Sequence, residues 1–142
     1  MIPWPWPAPL DDGGAAHLVP GLALPDIALP TASGSTVSLA RLPGRSILFV
    51  YNWTGRPGIP DPPNWDDIAG AHGSTAELQG IRNLQTSFES IDAKVYALSS
   101  QTTAWQSEAT ERLQLGFDLI SDRALEFAAA LGLPTFQTGG ET

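Results

Sequence analysis

The side chains best suited to acid–base chemistry lie together around position 74. His72 precedes the run Ser74-Thr75-Ala76-Glu77, whose spacing is that of a capping box with Ser74 as N-cap and Glu77 reaching back to its amide. Histidine moves protons near neutral pH, and Glu77 could act as a base if it is not engaged in capping. The amides of Ser74 and Thr75 would lie at the positive helix end, where they could stabilise an oxyanion. The pattern therefore predicts either a capped helix start or a helix-terminal site.

Nearby aromatic and basic residues could complete a pocket above this helix start. Trp53 ends an apolar run, Trp65 lies in the proline-rich loop 56–71, and Arg82 follows two turns into the helix. A pocket walled by these tryptophans, with Arg82 to hold an anion, would suit a rearrangement, cyclisation, elimination or addition on a small metabolite. The structural alternative is a surface or ion-pair role for Arg82 and a core position for each tryptophan.

Several kinds of chemistry are disfavoured. The chain has no cysteine, which removes disulfides, thiolate zinc sites, iron–sulfur clusters and cysteine nucleophiles. Two isolated histidines and the aspartates at 61, 66 and 67 match no metal-ligand spacing, and no G-x-S-x-G elbow is present. We therefore expect no metal and no cofactor.

Composition limits the partners. The 142 residues carry a net charge of −8, and their six arginines and one lysine are scattered singly. A basic stripe is the footprint of nucleic-acid binding, so neither nucleic acid nor an anionic membrane is an expected partner. The start MIPWPWPAP contains no signal-peptide pattern, which favours the cytoplasm.

The chain is asymmetric along its length. Twelve of its thirteen prolines lie at or before Pro63, which favours loops and extended segments in the first half. Residues 1–20 are expected to be an extended proline- and tryptophan-rich segment whose Trp4 and Trp6 pack on the same domain or on a partner subunit.

The apolar pattern predicts alternating strands and helices. Strands are expected at 36–39, at 46–53 as a central strand covered on both faces, at 94–98 and at 117–120. One helical stripe should comprise Leu78, Ile81, Leu84, Phe88 and Ile91; a second helix should comprise Trp105, Ala109 and Leu113; and a third should span 125–131. The order βαβαβα predicts an α/β fold with parallel strands and flanking helices.

Several segments together resemble the peroxiredoxins, in particular the bacterioferritin comigratory protein branch. They are Asp11-Asp12-Gly13, the run 51–58 (YNWTGRPG), 65–71 (WDDIAGA), Gly73-Ser74-Thr75, 99–102 (SSQT), 117–122 (FDLISD) and 131–136 (LGLPTF). The resemblance implies that residues 21–142 form a thioredoxin-like domain with a central mixed sheet. Its relatives reduce peroxides with a cysteine at a helix N-terminus.

The chain departs from that family at the positions that matter for catalysis. Ser74 stands where the family carries its peroxidatic cysteine, and Gln79 stands where this branch has its resolving cysteine. A serine hydroxyl cannot replace the thiolate in peroxide reduction. Asn52 and Trp53 also replace family residues, so that Thr54 alone is retained among the usual neighbours of the cysteine.

The sequence ends before the arginine, the two strands and the helix that the resemblance would place after Thr142. A sheet that stopped at Phe136 would expose a strand edge, which favours a homo-oligomer or a partner subunit.

The sequence thus leaves three functional hypotheses. The first is a peroxiredoxin-like protein that has lost thiol peroxidase activity and become a cofactor-free, non-redox enzyme. Its expected catalytic residues are Ser74, His72, Glu77 and Thr54, with Asn52, Trp53, Thr75, Arg82 and Trp65 binding the small-molecule substrate. The alternatives are a non-catalytic binding or structural subunit and a cysteine-to-serine variant of a thiol peroxidase.

Overall fold

The computed structural model describes residues 3–142, so that Met1 and Ile2 of the predicted N-terminal segment lie outside the described residues. In chain order the strands are β1 (Ala28–Pro30), β2 (Thr36–Ser38), β3 (Arg45–Val50), β4 (Ala93–Ser99) and β5 (Asp118–Ser121). The helices are α1 (Ser74–Asn83), α2 (Gln85–Glu89), α3 (Thr103–Leu113) and α4 (Glu126–Leu131). Short 3-10 turns occur at Leu39–Arg41, Trp65–Asp67 and Ala71–Gly73.

A parallel sheet in the order β3-β4-β5 forms the centre of the domain. Ile47 of β3 faces Val95 of β4, and Ala97 of β4 faces Leu119 of β5. Strands β1 and β2 form a separate antiparallel hairpin, and Thr31 after β1 makes an antiparallel bridge to Ile120. The alternating α/β order predicted from the sequence is confirmed.

Two apolar clusters cover the two faces of the sheet. One contains Leu78 and Ile81 of α1 with Ala109 and Leu113 of α3. The other contains Phe127 of α4 with residues of the hairpin region, such as Leu29 and Leu39. The sheet is therefore the middle layer of three, and the loops after its strands meet at one edge.

The position of β3 differs from the prediction. We expected 46–53 to be a central strand covered on both faces, but β3 is an edge strand of the described sheet, and Val50 is 48% exposed. The central strand is β4, in which every residue except Lys94 is buried. A continuous apolar run shows that a strand is partly buried, but it does not show which strands lie on either side.

The predicted single helical stripe is also corrected. Leu84 separates α1 from α2 with φ −100° and ψ 4°, which is outside helical geometry. This break rotates the following residues, so that Leu84 and Ile91 are exposed, while Leu78 and Ile81 are buried. Regular spacing in the sequence did not reveal the break because leucine itself is a good helix former.

The N-terminal segment lies against its own domain. The Trp6 ring stacks on His72 with centroids 3.9 Å apart, and the Gly70 amide donates to the Pro7 carbonyl over 3.0 Å. Trp4, in contrast, is exposed. Within residues 3–142, no helix is both long and apolar enough to cross a bilayer.

Candidate functional site

The loop that follows β3 is fixed by a buried glutamine. The Gln101 side-chain oxygen accepts from the Thr54 amide over 3.1 Å, and its Nε2 donates to the Thr54 carbonyl over 3.0 Å. Trp105 Nε1 donates to the same carbonyl over 2.8 Å. Gln101 is 1% exposed, so these bonds are shielded from water. The backbone at Thr54 is therefore held rigidly where β3 enters the site.

Four of the sequence-predicted site residues meet where this loop contacts the start of α1. The hydroxyls of Thr54 and Thr75 share a hydrogen bond of 2.7 Å. Ser74 is only 4% exposed, and its hydroxyl donates to the side-chain oxygen of Asn52. The same oxygen accepts from the Trp53 amide over 2.6 Å. Asn52 therefore links the start of the loop to the start of α1.

The predicted capping box is not formed. Ser74 lies inside α1 with φ −66° and ψ −43°, and the preceding Gly73 occupies the N-cap position without a side-chain cap. The 3-10 turn at Ala71–Gly73 runs directly into the helix, which moves the helix start one residue ahead of the expected position. The Ser74 hydroxyl is thereby directed to Asn52 instead of to its own helix amides. Glu77 lies on the surface of α1, where partial desolvation raises the pKa of its carboxyl.

His72 and Arg82 lie apart from this cluster. His72 Nε2 bonds to Asp66 over 2.8 Å, and the Trp6 ring covers the imidazole. Arg82 donates to the Leu113 carbonyl at the end of α3 over 2.8 Å. Since Arg82 lies eight residues after Ser74, the helix separates their backbones by about 12 Å. The structure does not bring these two residues to a common centre with Ser74.

A pocket of about 210 Å³ lies at the carboxyl ends of the parallel strands. Its lining includes three of the predicted site residues, Asn52, Trp53 and Trp65. The Trp65 ring is 6.3 Å from that of Trp53 and 6.1 Å from that of Phe136, so three aromatic rings form a connected wall. Ser74, Thr75, Thr54, His72, Glu77 and Arg82 are not part of this lining.

The segment 133–142, which includes Phe136, forms a further part of the pocket wall. Thr138 donates through its hydroxyl to the Pro63 carbonyl over 2.5 Å, and Arg123 pairs with Glu141. The Ser100 hydroxyl donates to the carbonyl of Thr142. These contacts hold the segment, which contains no helix, over the strand ends.

Asp122 contributes a buried carboxylate to the lining. It follows β5 directly, is 2% exposed, and accepts from the amides of Phe127 and Ala128 over 3.0 and 2.8 Å. These bonds satisfy the first amides of α4 and fix that helix against the strand. Across residues 3–142, no three histidine, aspartate or glutamate side chains group as metal ligands.

Sequence reasoning missed Gln101, Asp122 and Phe136 as parts of this region. The first two are polar residues at the carboxyl ends of β4 and β5, where parallel sheets place their ligands, and this position is the signal that could have identified them. Phe136 carries no comparable signal, because it lies in an irregular segment.

The family is decided by comparison with known proteins. The family model described as Redoxin matches residues 20–142. This chain belongs to the redoxin family. No curated protein sequence matches it.

Solved structures similar to this redoxin are peroxiredoxins. A cysteine-to-serine mutant of peroxiredoxin Q from Xanthomonas campestris is 19% identical with a TM-score of 0.62, over 82% of this chain and 68% of that one. Bacterioferritin comigratory protein from the same organism is 19% identical with a TM-score of 0.63, over 86% and 73%. Peroxidoxin BcpB from Mycobacterium tuberculosis is 23% identical with a TM-score of 0.64, over 86% and 71%. The thioredoxin-like peroxiredoxin fold is thereby confirmed.

The redoxin fold is present here without the redox group. The chain contains no cysteine, and a serine lies in the first turn of α1. Peroxide reduction by these proteins requires a thiolate that is oxidised and then reduced again. The absence of cysteine is consistent with loss of thiol peroxidase activity.

Proposed function

We propose that this redoxin does not reduce peroxides and instead binds a small molecule in the pocket at the carboxyl ends of β3, β4 and β5. One observation carries the proposal: the Ser74 hydroxyl is buried and bound to Asn52, whereas the pocket beside Asn52 is open. The position that would perform the family's chemistry is closed, and the adjacent pocket is available to a ligand.

The environment of Ser74 disfavours nucleophilic catalysis. A serine hydroxyl becomes a nucleophile when an adjacent base removes its proton. Here the proton is donated to an amide oxygen, which is too weak a base for this role, and His72 is engaged with Asp66 and Trp6.

The pocket has the features of a small-molecule site. Ligand sites in open α/β sheets lie beyond the carboxyl ends of the strands. They combine a mostly apolar lining with a few placed polar groups. Here Trp53, Trp65 and Phe136 supply apolar surface, and Asn52 and Ser100 supply polar groups.

Chemical-shift mapping on the ¹⁵N-labelled protein tests this proposal, with benzyl alcohol and benzylamine as first compounds. We expect changes at the Trp53 indole and the Ser100 amide, with little change at Thr75 and Arg82. Changes confined to Thr75 and Arg82, or none at any residue, would contradict it.

A blocking variant sharpens the test. Thr135→Trp places a large ring at a residue that lines the pocket and should abolish the shifts, whereas Gln137→Trp adds the same ring at an exposed residue outside the lining. Binding that survives equally in both variants would place the ligand elsewhere.

A second candidate is the non-redox enzyme acting on a small metabolite. The observation that favours it is that Glu77 follows Ser74 by three residues on α1, which places the two side chains on one face of the helix, and partial desolvation raises the pKa of the Glu77 carboxyl. Once a turned-over compound is found, Glu77→Gln should lower kcat, and Ser74→Ala and His72→Ala should do the same if those residues take part. Turnover that survives all three substitutions would eliminate this site.

A further inference from the structure

The aromatic wall of the pocket is suited to a positive charge. Trp65 lies between Trp53 and Phe136, at centroid distances of 6.3 and 6.1 Å. The faces of aromatic rings carry partial negative charge and attract cations, most strongly for tryptophan. Several rings around one volume therefore favour an ammonium group over a neutral group of the same size.

The charged residues of the lining also favour a cationic ligand. Among the residues that the structure describes, no lysine, arginine or histidine lines the pocket, while Asp122 and Glu141 do. Glu141 is paired with Arg123, but Asp122 is bound by two backbone amides and by no basic side chain within the described chain. These amides offset part of the charge of Asp122, and the remaining negative charge favours a cationic ligand over an anionic one.

The volume limits the ligand to a compact molecule. The pocket of about 210 Å³ exceeds the roughly 150 Å³ of an engineered cavity that holds benzene. It is smaller than the roughly 300 Å³ at which sites for drug-sized compounds begin. One ring, or one compact alkyl group, fits.

We propose that the pocket binds a small ammonium compound, a primary to quaternary amine that carries one aromatic or branched apolar substituent. This inference rests on the binding function proposed above and names the class of its ligand. The aromatic rings contact both the ammonium group and the apolar substituent of the ligand. The Asp122 carboxylate supplies negative charge that attracts the ammonium group.

Three compounds that share one ring and differ in charge test the inference: benzylammonium, benzyl alcohol and benzoate. Their affinities are measured by tryptophan fluorescence, because Trp53 and Trp65 lie in the wall. We expect benzylammonium to bind roughly three- to thirtyfold more tightly than benzyl alcohol, and benzoate to bind most weakly. Raising NaCl from about 0.05 M to about 0.5 M should leave this order unchanged, since salt screens exposed charges far more than buried ones.

A matched pair of variants shows whether the preference for an ammonium ligand comes from the aromatic wall or from the overall charge of −8, since neither variant changes that charge. Phe136→Leu keeps apolar volume but removes a ring face, and it should reduce the preference for benzylammonium over benzyl alcohol by roughly threefold. Trp4→Leu removes an exposed ring outside the lining and should leave that preference unchanged.

The outcomes distinguish this inference from the proposed function. Benzyl alcohol or benzoate binding as tightly as benzylammonium would overturn the ammonium ligand while leaving a small-molecule site. An ammonium preference that disappears at high salt, or that is identical in Phe136→Leu, would also overturn it. If none of the three compounds binds, both the inference and the proposed function fail.

Discussion

The Ser74 hydroxyl donates to the side-chain oxygen of Asn52, and this contact joins the first turn of α1 to the loop that follows β3. Because Asn52 also accepts from the Trp53 amide, one amide oxygen holds the start of this loop and the start of α1 together. The Ser74 hydroxyl thus forms a structural link, and Asn52 also belongs to the pocket lining.

The link between Ser74 and Asn52 should be measurable as coupling. Ser74→Ala removes one hydrogen bond and should lower the free energy of unfolding by about 1 kcal/mol. Asn52→Ala leaves two buried donors without an acceptor and should cost about 1–3 kcal/mol. The double variant should cost less than the sum, as determined by urea denaturation of all four proteins. Strictly additive losses would show that the two side chains do not interact.

Gln101 should contribute to stability by holding the backbone at Thr54. Gln101→Met keeps the size of the side chain but leaves the Thr54 amide without its acceptor, while Trp105 still donates to the Thr54 carbonyl. We expect a loss of about 1–3 kcal/mol in the free energy of unfolding.

The control for that substitution is Gln137→Met, because Gln137 is exposed. It should change the free energy of unfolding by less than about 0.5 kcal/mol. Equal effects in the two variants would contradict a clamping role for Gln101.

Tyr51 should limit stability at alkaline pH. Burial raises the pKa of its hydroxyl to about 12, against the opposing effect of Ser99 and Gln106 nearby. Because the folded pKa lies above the ordinary value of 10.0, the folded state favours the protonated phenol, and stability should fall as pH rises from about 10 through about 12.

The substitution Tyr51→Phe tests this effect. The buried hydroxyl has no hydrogen-bond partner of normal geometry among the described residues, so its removal should be neutral or stabilising at pH 7. At pH near 11 the variant should be clearly more stable than the parent in urea denaturation. A variant that loses stability at pH 7 would show that the hydroxyl is bonded in solution.

The free edge of β3 predicts that the protein associates with a second copy. Strand β3 pairs on one side with β4, and Arg45 at its start is its only charged residue. Antiparallel pairing of two such edges opposes no like charges, and an unblocked edge tends to pair. Sedimentation should show a dimer in the parent and a monomer in Ser46→Lys, since lysine discourages edge pairing. A monomeric parent that unfolds cooperatively would contradict this prediction.

Much of the fold could be predicted from local patterns. The alternation of strands and helices follows from apolar periodicity, and the resemblance in several ordered segments implied the thioredoxin-like architecture. The errors concern which strands are neighbours and where a helix is interrupted. Strand β3 lies at the edge of the sheet, and the predicted helical stripe breaks at Leu84. Strand neighbours and helix breaks depend on tertiary contacts, which a single run of residues does not encode.

The candidate site was predicted only in part. Asn52, Thr54, Ser74 and Thr75 meet as neighbours, and Trp53 and Trp65 line the pocket. His72 and Arg82 do not join them, because the Trp6 stack and the end of α3 hold these side chains elsewhere. Such long-range contacts decide which polar groups converge, and spacing along one helix does not reveal them.

Hydrogen peroxide consumption with an added thiol reductant, in the parent and in Ser74→Cys, tests most directly whether this redoxin lacks peroxidase chemistry and whether position 74 is closed to peroxide. We predict no consumption above the protein-free blank in the parent, which has no thiolate. We predict none in Ser74→Cys, because position 74 is only 4% exposed and its side chain lies against Asn52. Consumption by the parent would contradict the loss of peroxidase chemistry, and activity gained in Ser74→Cys would contradict the closed geometry at Asn52.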